Sequence, residues 1–303
     1  MKRLCFALVF FLLSGLFQSC KTTAQQTVIT PPSDTVTYQQ FYDQLSPYGR
    51  WIEYPGYGYV WSPNDADFIP YSSNGYWVYT NWGWGWNSGY TWGWAPFHYG
   101  RWFYETGYGW CWVPGYSWAP AWVMWRTGGQ YYGWAPLPPG IGIGVSFGIP
   151  YEHWCFVDHR YLGARNFSTY LLPANRIEAV YHQTTIINNI NITDRRVSFA
   201  SGPSRTEVEK YSGQTIRPIS IRENQAPQGS RFDENKSELH LYRPAITHTP
   251  VQREIQPRTS TRFQDIPRNN GQRGTWSGME RIERETPRMN FNEGRGGVRR
   301  GGR

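Results

Sequence analysis

Nine residues, "YEHWCFVDH" at 151–159, form the densest group of side chains in the sequence that could do chemistry. Histidine, cysteine and carboxylates are the residue types that bind zinc or transfer protons. Their spacing here matches neither a structural zinc site nor a hydrolytic zinc motif. A structural role therefore explains the segment better, and the sequence predicts no metal site and no cofactor. The residues concerned are Glu152, His153, Cys155, Asp158 and His159.

The aromatic-rich part of the chain offers little else that could move a proton. His98, in "WAPFHYGRW", is a lone histidine, and a general base needs a nucleophile and an orienting partner within hydrogen-bond reach. Glycoside hydrolysis needs paired carboxylates, and acidic residues are few there: Glu53, Asp65, Asp67 and Glu105. The sequence predicts no catalytic residue and a protein that is not an enzyme. A carboxylate pair assembled across the fold, and with it a hydrolase, stays open.

Tryptophan dominates one region, because fifteen of the seventeen tryptophans lie between Trp51 and Trp134. Flat aromatic rings stack on the apolar faces of sugar rings, and arginine stacks on aromatic rings. The tryptophans of the Trp-Ala-Pro triplets are the ones that a sheet core needs least. The predicted ligand contacts are therefore Trp94, Trp118, Trp134, Tyr99 and Arg101. In the alternative, each ring removes about 150–250 Å² from water and serves only to fill the core.

Internal repeats supply the elements that would position these side chains. "YGRWIEYPGYGYVWSP" (48–63) aligns without gaps on "YGRWFYETGYGWCWVP" (99–114), and "GYWVYTNWGWGW" (75–86) fits with one deletion. The Gly-containing centres are turn sequences, and their flanks are rich in aromatic residues. Proline ends the second strand, since it cannot donate to the ladder. The sequence predicts three antiparallel β-hairpins with a period near 25 residues.

Alternation along these strands separates two faces, because residues two apart in a strand share a face. One face is aromatic and consists of Trp51, Tyr59, Trp61, Trp77, Tyr79, Trp84, Trp86, Trp102, Tyr104, Trp110 and Trp112. The other is smaller and consists of Ile52, Val60, Val78, Phe103, Cys111 and Val113.

The remaining patterns predict a small α+β segment and a disordered tail. Helices are expected over 37–45, 173–182 and 204–213, the last with a capping box at Ser204 and a C-terminal Gly213. Strands are expected over 140–149, 184–193 and 215–223, the last at a sheet edge because of Pro218. Beyond residue 223 the chain has few apolar residues, so it is expected to be disordered.

The N-terminus predicts export. Lys2 and Arg3 precede a short apolar run, which is typical of a signal peptide. Cys20 after Ser19 suggests a lipoprotein, anchored to the membrane through Cys20, while cleavage after Ala24 is the alternative. The other two cysteines of the mature chain, Cys111 and Cys155, are expected to form a disulfide in an oxidising compartment. In that compartment the net charge of +8 favours anionic lipid or glycan surfaces and argues against nucleic acid.

The segments "FYDQLSPYGRW", "PGYGYVW", "WAPFHYGRW", "GYGWCWVPG" and "YYGWAPLPPG", over residues 38–140, resemble an uncharacterised family of exported, Tyr/Trp-rich bacterial proteins. The resemblance implies an envelope protein of Gram-negative bacteria, in the periplasm or at the outer membrane, with no assigned activity and no catalytic residues.

The predicted organisation is a signal peptide (1–19), a linker (20–37), a β-hairpin repeat domain (38–150), an α+β segment (151–223) and a disordered basic tail (224–303). The predicted function is a non-catalytic module that binds cell-wall glycan or polysaccharide. A purely structural protein, or one that binds another envelope protein, is the alternative.

Overall fold

The computed structural model describes residues 35–144, 148–227, 229–247 and 256–265. All of them belong to one compact unit that begins at Asp34. The predicted signal peptide, Cys20, the alternative cleavage site and the glycine-rich end of the chain lie outside the described residues.

The prediction of a mainly β fold is confirmed. The strands of the described residues are β1 (Thr35–Val36), β2 (Gly49–Tyr54), β3 (Gly58–Pro63), β4 (Gly75–Thr80), β5 (Gly83–Ser88), β6 (Tyr99–Glu105), β7 (Gly109–Trp118), β8 (Val123–Gly128), β9 (Tyr131–Pro136), β10 (Cys155–Asp158), β11 (Thr185–Ile187), β12 (Ile190–Ile192), β13 (Ser198–Ala200), β14 (Ser220–Asn224), β15 (Arg231–Asp233), β16 (Glu238–Tyr242), β17 (Ala245–Ile246) and β18 (Thr261–Arg262). The α-helices are α1 (Tyr38–Leu45), α2 (Ala174–Gln183) and α3 (Arg205–Ser212).

All three predicted hairpins form, as β2–β3, β4–β5 and β6–β7. A fourth hairpin, β8–β9, follows them directly. Each hairpin places one tryptophan opposite another across its two strands. These cross-strand pairs are Trp51–Trp61, Trp77–Trp86, Trp102–Trp112 and Trp125–Trp134. The repeating unit is therefore a hairpin with two tryptophans opposite each other in its ladder. Within the second and fourth hairpins the two rings contact each other, which is a favourable cross-strand contact. The rings of the first and third hairpins instead contact each other between the hairpins, as Trp51–Trp112 and Trp61–Trp102.

The hairpins join into larger sheets. A five-stranded sheet has the order β18-β2-β3-β7-β6, and a four-stranded sheet has the order β10-β9-β8-β11. The first and third hairpins share the five-stranded sheet, where Trp61 pairs with Trp112. The strands β4 and β5 form a sheet of their own, as do β12–β13 and β1–β17, while β14, β16 and β15 form a three-stranded sheet in that order.

The two predicted faces are confirmed by burial except at Val78, which was expected on the aliphatic face and lies in the large aromatic cluster. Every tryptophan of the predicted aromatic face lies in one large cluster. Ile52, Val60, Phe103 and Cys111 lie together in a smaller one. Many indole N–H groups of the large cluster donate to backbone carbonyls, as Trp61 does to Leu45 and Trp112 does to Tyr99. The buried rings therefore fill the core and also satisfy backbone acceptors that the turns leave unpaired.

The helices agree with their sequence signals. Thr37 caps α1 by accepting from the Gln39 amide. Ser204 caps α3 by accepting from the Glu207 amide, and Gly213 ends it in the left-handed conformation at φ 68°. The single strand expected over 184–193 is instead two strands, β11 and β12.

The strand expected over 140–149 is absent from its described part, which forms turns. Gly140, Gly144 and Gly148 have positive φ values there, which interrupt extended backbone. Residues 145–147 lie outside the described residues.

Two predicted boundaries need correction. Strand β10 pairs with β9 and β11 pairs with β8, so residue 150 does not separate two structural units. The chain is also ordered into strands after residue 223. Strand β14 is an edge strand, as expected, but it pairs in parallel with β16. The disorder predicted from residue 224 is therefore wrong for 229–247, where Leu239, Leu241 and Tyr242 are buried.

The predicted disulfide is also wrong, because Cys111 and Cys155 are both free. Cys111 lies on β7 opposite Phe103, in the small aliphatic cluster. Cys155 lies on β10, in a different sheet, opposite Trp134. Burial raises the pKa of the Cys111 thiol to about 12 and that of Cys155 to about 11, so both thiols are protonated at neutral pH.

Candidate functional site

Four of the five predicted ligand contacts are inside the protein. The exposed fraction is 3% for Trp94, 2% for Trp118, and 0% for Trp134 and Tyr99. The Trp134 indole donates to the backbone carbonyl of Tyr71. The rings of these four residues belong to the core, so this structure exposes none of them to a ligand.

Three of these rings, those of Trp94, Tyr99 and Trp118, are covered by residues 242–244 near the C-terminal end of the described chain. The Tyr242 ring packs edge-on against Trp94, with ring centres 4.9 Å apart. The Tyr99 hydroxyl donates to the Pro244 carbonyl at 2.6 Å. The guanidinium of Arg243 lies 4.2 Å from the centre of the Trp118 ring. Tyr242, Arg243 and Pro244 lie in the segment after residue 223, which was predicted to be disordered from its composition.

The fifth predicted contact, Arg101, lines a surface groove of about 430 Å³. We call it the Arg101 groove, and it is bounded by residues 100–101, 113–117 and 139–142. Its volume lies within the range of small-molecule sites. The three segments come from β6, from β7 and from the turn after β9, so the groove joins two of the hairpins.

The backbone shapes this groove through two glycines. The β6–β7 ladder shifts register between Tyr99 and Arg101, and Gly100 within this bulge has φ 68°. A Cβ on Gly100 would overlap the Val113 carbonyl oxygen, and a Cβ on Gly115 would lie 2.6 Å from the Cα of Gly100. The two backbones therefore touch in a way that only glycine permits.

Arg101 places a positive charge on the groove. Its Cζ lies 3.4 Å from the centre of the Trp122 ring, and its Nη1 donates to the Gly100 carbonyl at 2.9 Å. Partial burial lowers the pKa of Arg101 to about 10, so the group stays charged at neutral pH. No carboxylate of the described residues pairs with it.

Tyrosine and serine residues form another side of the groove. The Tyr116 ring stacks on Tyr38, with ring centres 4.3 Å apart and an interplanar angle of 18°. The Tyr38 hydroxyl donates to the Pro114 carbonyl at 3.2 Å, and burial raises the pKa of Tyr38. The Ser117 side chain is exposed. The groove thus combines a cation, flat rings and a hydroxyl.

The histidine-rich segment at 151–159 does not converge on one point. His153 packs on Tyr104 and Trp110, with ring centres 5.4 and 5.0 Å away. His159 packs on Tyr132 at 4.1 Å, and Asp158 bonds the Arg160 guanidinium. Among the described residues, no group of three or more His, Cys, Asp or Glu side chains is arranged to hold a metal ion.

His98 has a structural environment. Its exposed fraction is 2%, its ring stacks on Trp118 at 5.5 Å, and its Nδ1 lies 3.1 Å from the Ala119 carbonyl oxygen. Burial lowers the pKa of His98 to about 4. A neutral imidazole that donates to a backbone carbonyl fixes the loop between the second and third hairpins.

The comparisons with known proteins give one family match, to a family without an assigned activity. Residues 42–141 match the model of a "Family of unknown function (DUF6600)", which confirms the resemblance to an uncharacterised family. No curated protein and no solved structure gives a significant match to the chain. Within the described ranges, the helices are too short or too polar to cross a membrane.

Proposed function

We propose that the protein is a non-catalytic binding module of the bacterial cell envelope, and that its ligand is a cell-wall glycan or another polysaccharide. The observation that carries this proposal is the Arg101 groove. It is open to solvent, it is close to 430 Å³, and it brings together stacked tyrosines, an exposed hydroxyl and backbone from three segments. Sugar rings present an apolar face and a rim of hydroxyls, which suits this mixture.

The buried tryptophans support binding indirectly. Two of the three groove segments lie on β6 and β7, whose tryptophans Trp102, Trp110, Trp112 and Trp118 are buried in the core. This part of the groove therefore loses little conformational entropy when a ligand binds. Export, and a lipid anchor at Cys20, complete the proposal and rest on the N-terminal sequence.

The non-catalytic part of the proposal is supported by the histidines. Burial lowers the pKa of both His98 and His153 to about 4, below the range in which a general base operates at neutral pH. His159 is buried, and its Nε2 lies 3.4 Å from the Thr127 hydroxyl oxygen.

Retention of the full chain on insoluble peptidoglycan, chitin and cellulose tests this function. We expect retention on at least one polymer, and a roughly three- to tenfold weaker affinity for Tyr116→Ala, since aromatic contacts contribute about 1 kcal/mol. Tyr48→Ala is the matched control, because Tyr48 is 43% exposed and does not line the groove. Absence of retention on every polymer would contradict the proposal, and release of soluble fragments would contradict its non-catalytic part.

A protein-binding role is the second candidate. Strand β12 exposes two large apolar side chains, Ile190 at 54% and Ile192 at 57%. Two residues apart on one strand, they share a face. This second function replaces the first if two results are obtained. The chain is not retained on any of the polymers, and the double variant Ile190→Ser, Ile192→Ser loses binding to an envelope protein that the parent chain binds.

A further inference from the structure

We infer that the Arg101 groove recognises a carboxylate, so that the ligand is an acidic polysaccharide rather than a neutral one. This inference rests on the proposed function, since it names the chemical group that the same groove would bind.

The first support is a partly buried cation that no described residue neutralises. Two arginines of the described residues are more buried than Arg101. Arg243 has an exposed fraction of 3% and is neutralised by Asp194 and Glu223. Arg126, at 9%, has no carboxylate partner, but its guanidinium makes three hydrogen bonds, to the Thr184 hydroxyl and to the carbonyls of Thr184 and Tyr181. Arg101 pairs with no carboxylate of the described residues and makes one hydrogen bond, to Gly100. Since withdrawing a charge from water is costly unless it is paired, an anion from outside would compensate this site.

The second support is the way in which the guanidinium is held. It lies over the Trp122 ring and is bonded by Nη1 to the Gly100 carbonyl. One of the five N–H groups that an arginine carries is used, so the other four have no partner among the described residues. A guanidinium that is already fixed by stacking can accept a carboxylate through two parallel hydrogen bonds at a small entropic cost.

The third support is the contrast with an arginine in the same motif. Arg50 occupies the place in the first repeat that Arg101 occupies in the third. Arg50 is exposed and does not line the groove. The chain thus carries a matched pair: one arginine in open solvent and one beside a cavity.

Two kinds of polysaccharide carry suitable carboxylates. One is a polymer of uronic acids, and the other is peptidoglycan, with carboxylates on its lactyl and peptide groups. Because both present the same group to a guanidinium, they must be compared directly.

Calorimetric titration of the full chain tests the inference. The probes are galacturonate oligosaccharides, the same oligosaccharides after reduction of their carboxyl groups, and soluble peptidoglycan fragments. The variants are Arg101→Met, which keeps an unbranched apolar stem and removes the guanidinium charge, Arg101→Lys, and Arg50→Met. We expect a carboxylated probe to bind, and Arg101→Met to weaken it about tenfold to a hundredfold, as for a lost charged hydrogen bond. Arg101→Lys should recover part of the loss, and Arg50→Met should bind as the parent does.

Each outcome has a distinct meaning. Selective binding of the galacturonate or of the peptidoglycan probe, lost in Arg101→Met alone, supports the inference and identifies the source of the carboxylate. Equal affinity for carboxylated and reduced probes overturns the inference and leaves the proposed function standing. A loss of affinity that is the same in Arg50→Met and Arg101→Met also overturns the inference and leaves the proposed function standing. Binding to none of the probes, together with no retention on any insoluble polymer, overturns the inference and the proposed function together. Thermal unfolding of each variant is the control for folding. A midpoint well above the titration temperature shows that a variant with lower affinity is still folded.

Discussion

The first and third hairpins have nearly the same sequence motif and different surfaces. In both, a cross-strand tryptophan pair is buried, Trp51–Trp61 in one and Trp102–Trp112 in the other. Their leading glycines differ, because Gly49 is extended at φ −170° whereas Gly100 is left-handed at φ 68°.

The second strands of these hairpins also end differently. Strand β3 ends at Pro63, and β7 continues past Pro114 to Trp118. The residue after the proline is Asn64 in one hairpin and Gly115 in the other. Only glycine lets β7 touch the bulge at Gly100 and continue along the groove. The motif therefore specifies the core, and the residues outside it specify the surface.

The largest expected effect is common to both hairpins. Trp61→Ala and Trp112→Ala should each lower the free energy of unfolding by about 3–5 kcal/mol, because both indoles are fully buried and truncating such a ring leaves a cavity. Urea denaturation followed by circular dichroism measures this. A cost below about 1 kcal/mol for either variant would show that its ring is not core.

The next effect should separate the two hairpins. Gly115→Asn, which introduces the residue found at position 64, should cost about 3 kcal/mol, because its Cβ would meet the Gly100 backbone. The reverse change, Asn64→Gly, should cost less than about 1 kcal/mol, since Asn64 is exposed. Equal costs in urea denaturation would contradict the role given to Gly115.

An effect of pH on stability should also be confined to the third hairpin. His98 directly precedes the third repeat, whereas Pro47, which does not titrate, occupies the same place before the first repeat. Burial holds the pKa of His98 at about 4, below its ordinary value of 6.5. The unfolded chain therefore binds a proton before the folded chain does, and stability present above pH 6.5 is lost as the pH falls toward 4. Between pH 7 and pH 4.5 this amounts to about 2 kcal/mol.

The control for that effect is His98→Gln, which removes the titrating group and keeps a side-chain donor. The loss of stability between pH 7 and pH 4.5 should become smaller by a similar amount, with the contribution of His153 remaining. An unchanged loss would mean that His98 is not the titrating group.

The smallest effect should again be equal in both hairpins. Gly58 and Gly109 are equivalent turn residues, with φ 73° and 80° and no atom within 4 Å of an added Cβ. Changing either to Ala should cost about 1–2 kcal/mol from backbone conformation alone. Thermal unfolding of the two variants should therefore give similar shifts, and a much larger shift for Gly109→Ala would reveal a contact that the structure does not contain.

Much of the fold was predictable because its signals are local. Alternation and Gly-containing turns indicate the hairpins, and Ser204 with Gly213 marks the ends of α3. The fourth hairpin carries a related signal, since Trp125 and Trp134 are nine residues apart, as are Trp77 and Trp86.

The site was less predictable because it depends on distant contacts. Trp94 and Trp118 are covered by Tyr242 and Arg243, which lie more than a hundred residues later in the sequence. The groove depends on the approach of Gly100 to Gly115 and on residues 139–142. Composition alone does not reveal that a polar segment with a few apolar residues, such as 229–247, packs its apolar side chains into the core.

The most direct test of the account is to observe the two arginines together. In nuclear magnetic resonance spectra of the full chain, the Nε–Hε signals of Arg50 and Arg101 can be assigned with Arg50→Lys and Arg101→Lys. The chain is then titrated with the carboxylated probe that it binds in the calorimetric titration. We expect the Arg101 signal to shift with saturation while the Arg50 signal stays in place. Equal shifts of both signals, or binding that moves neither, would contradict the claim that the third hairpin alone carries the recognition site.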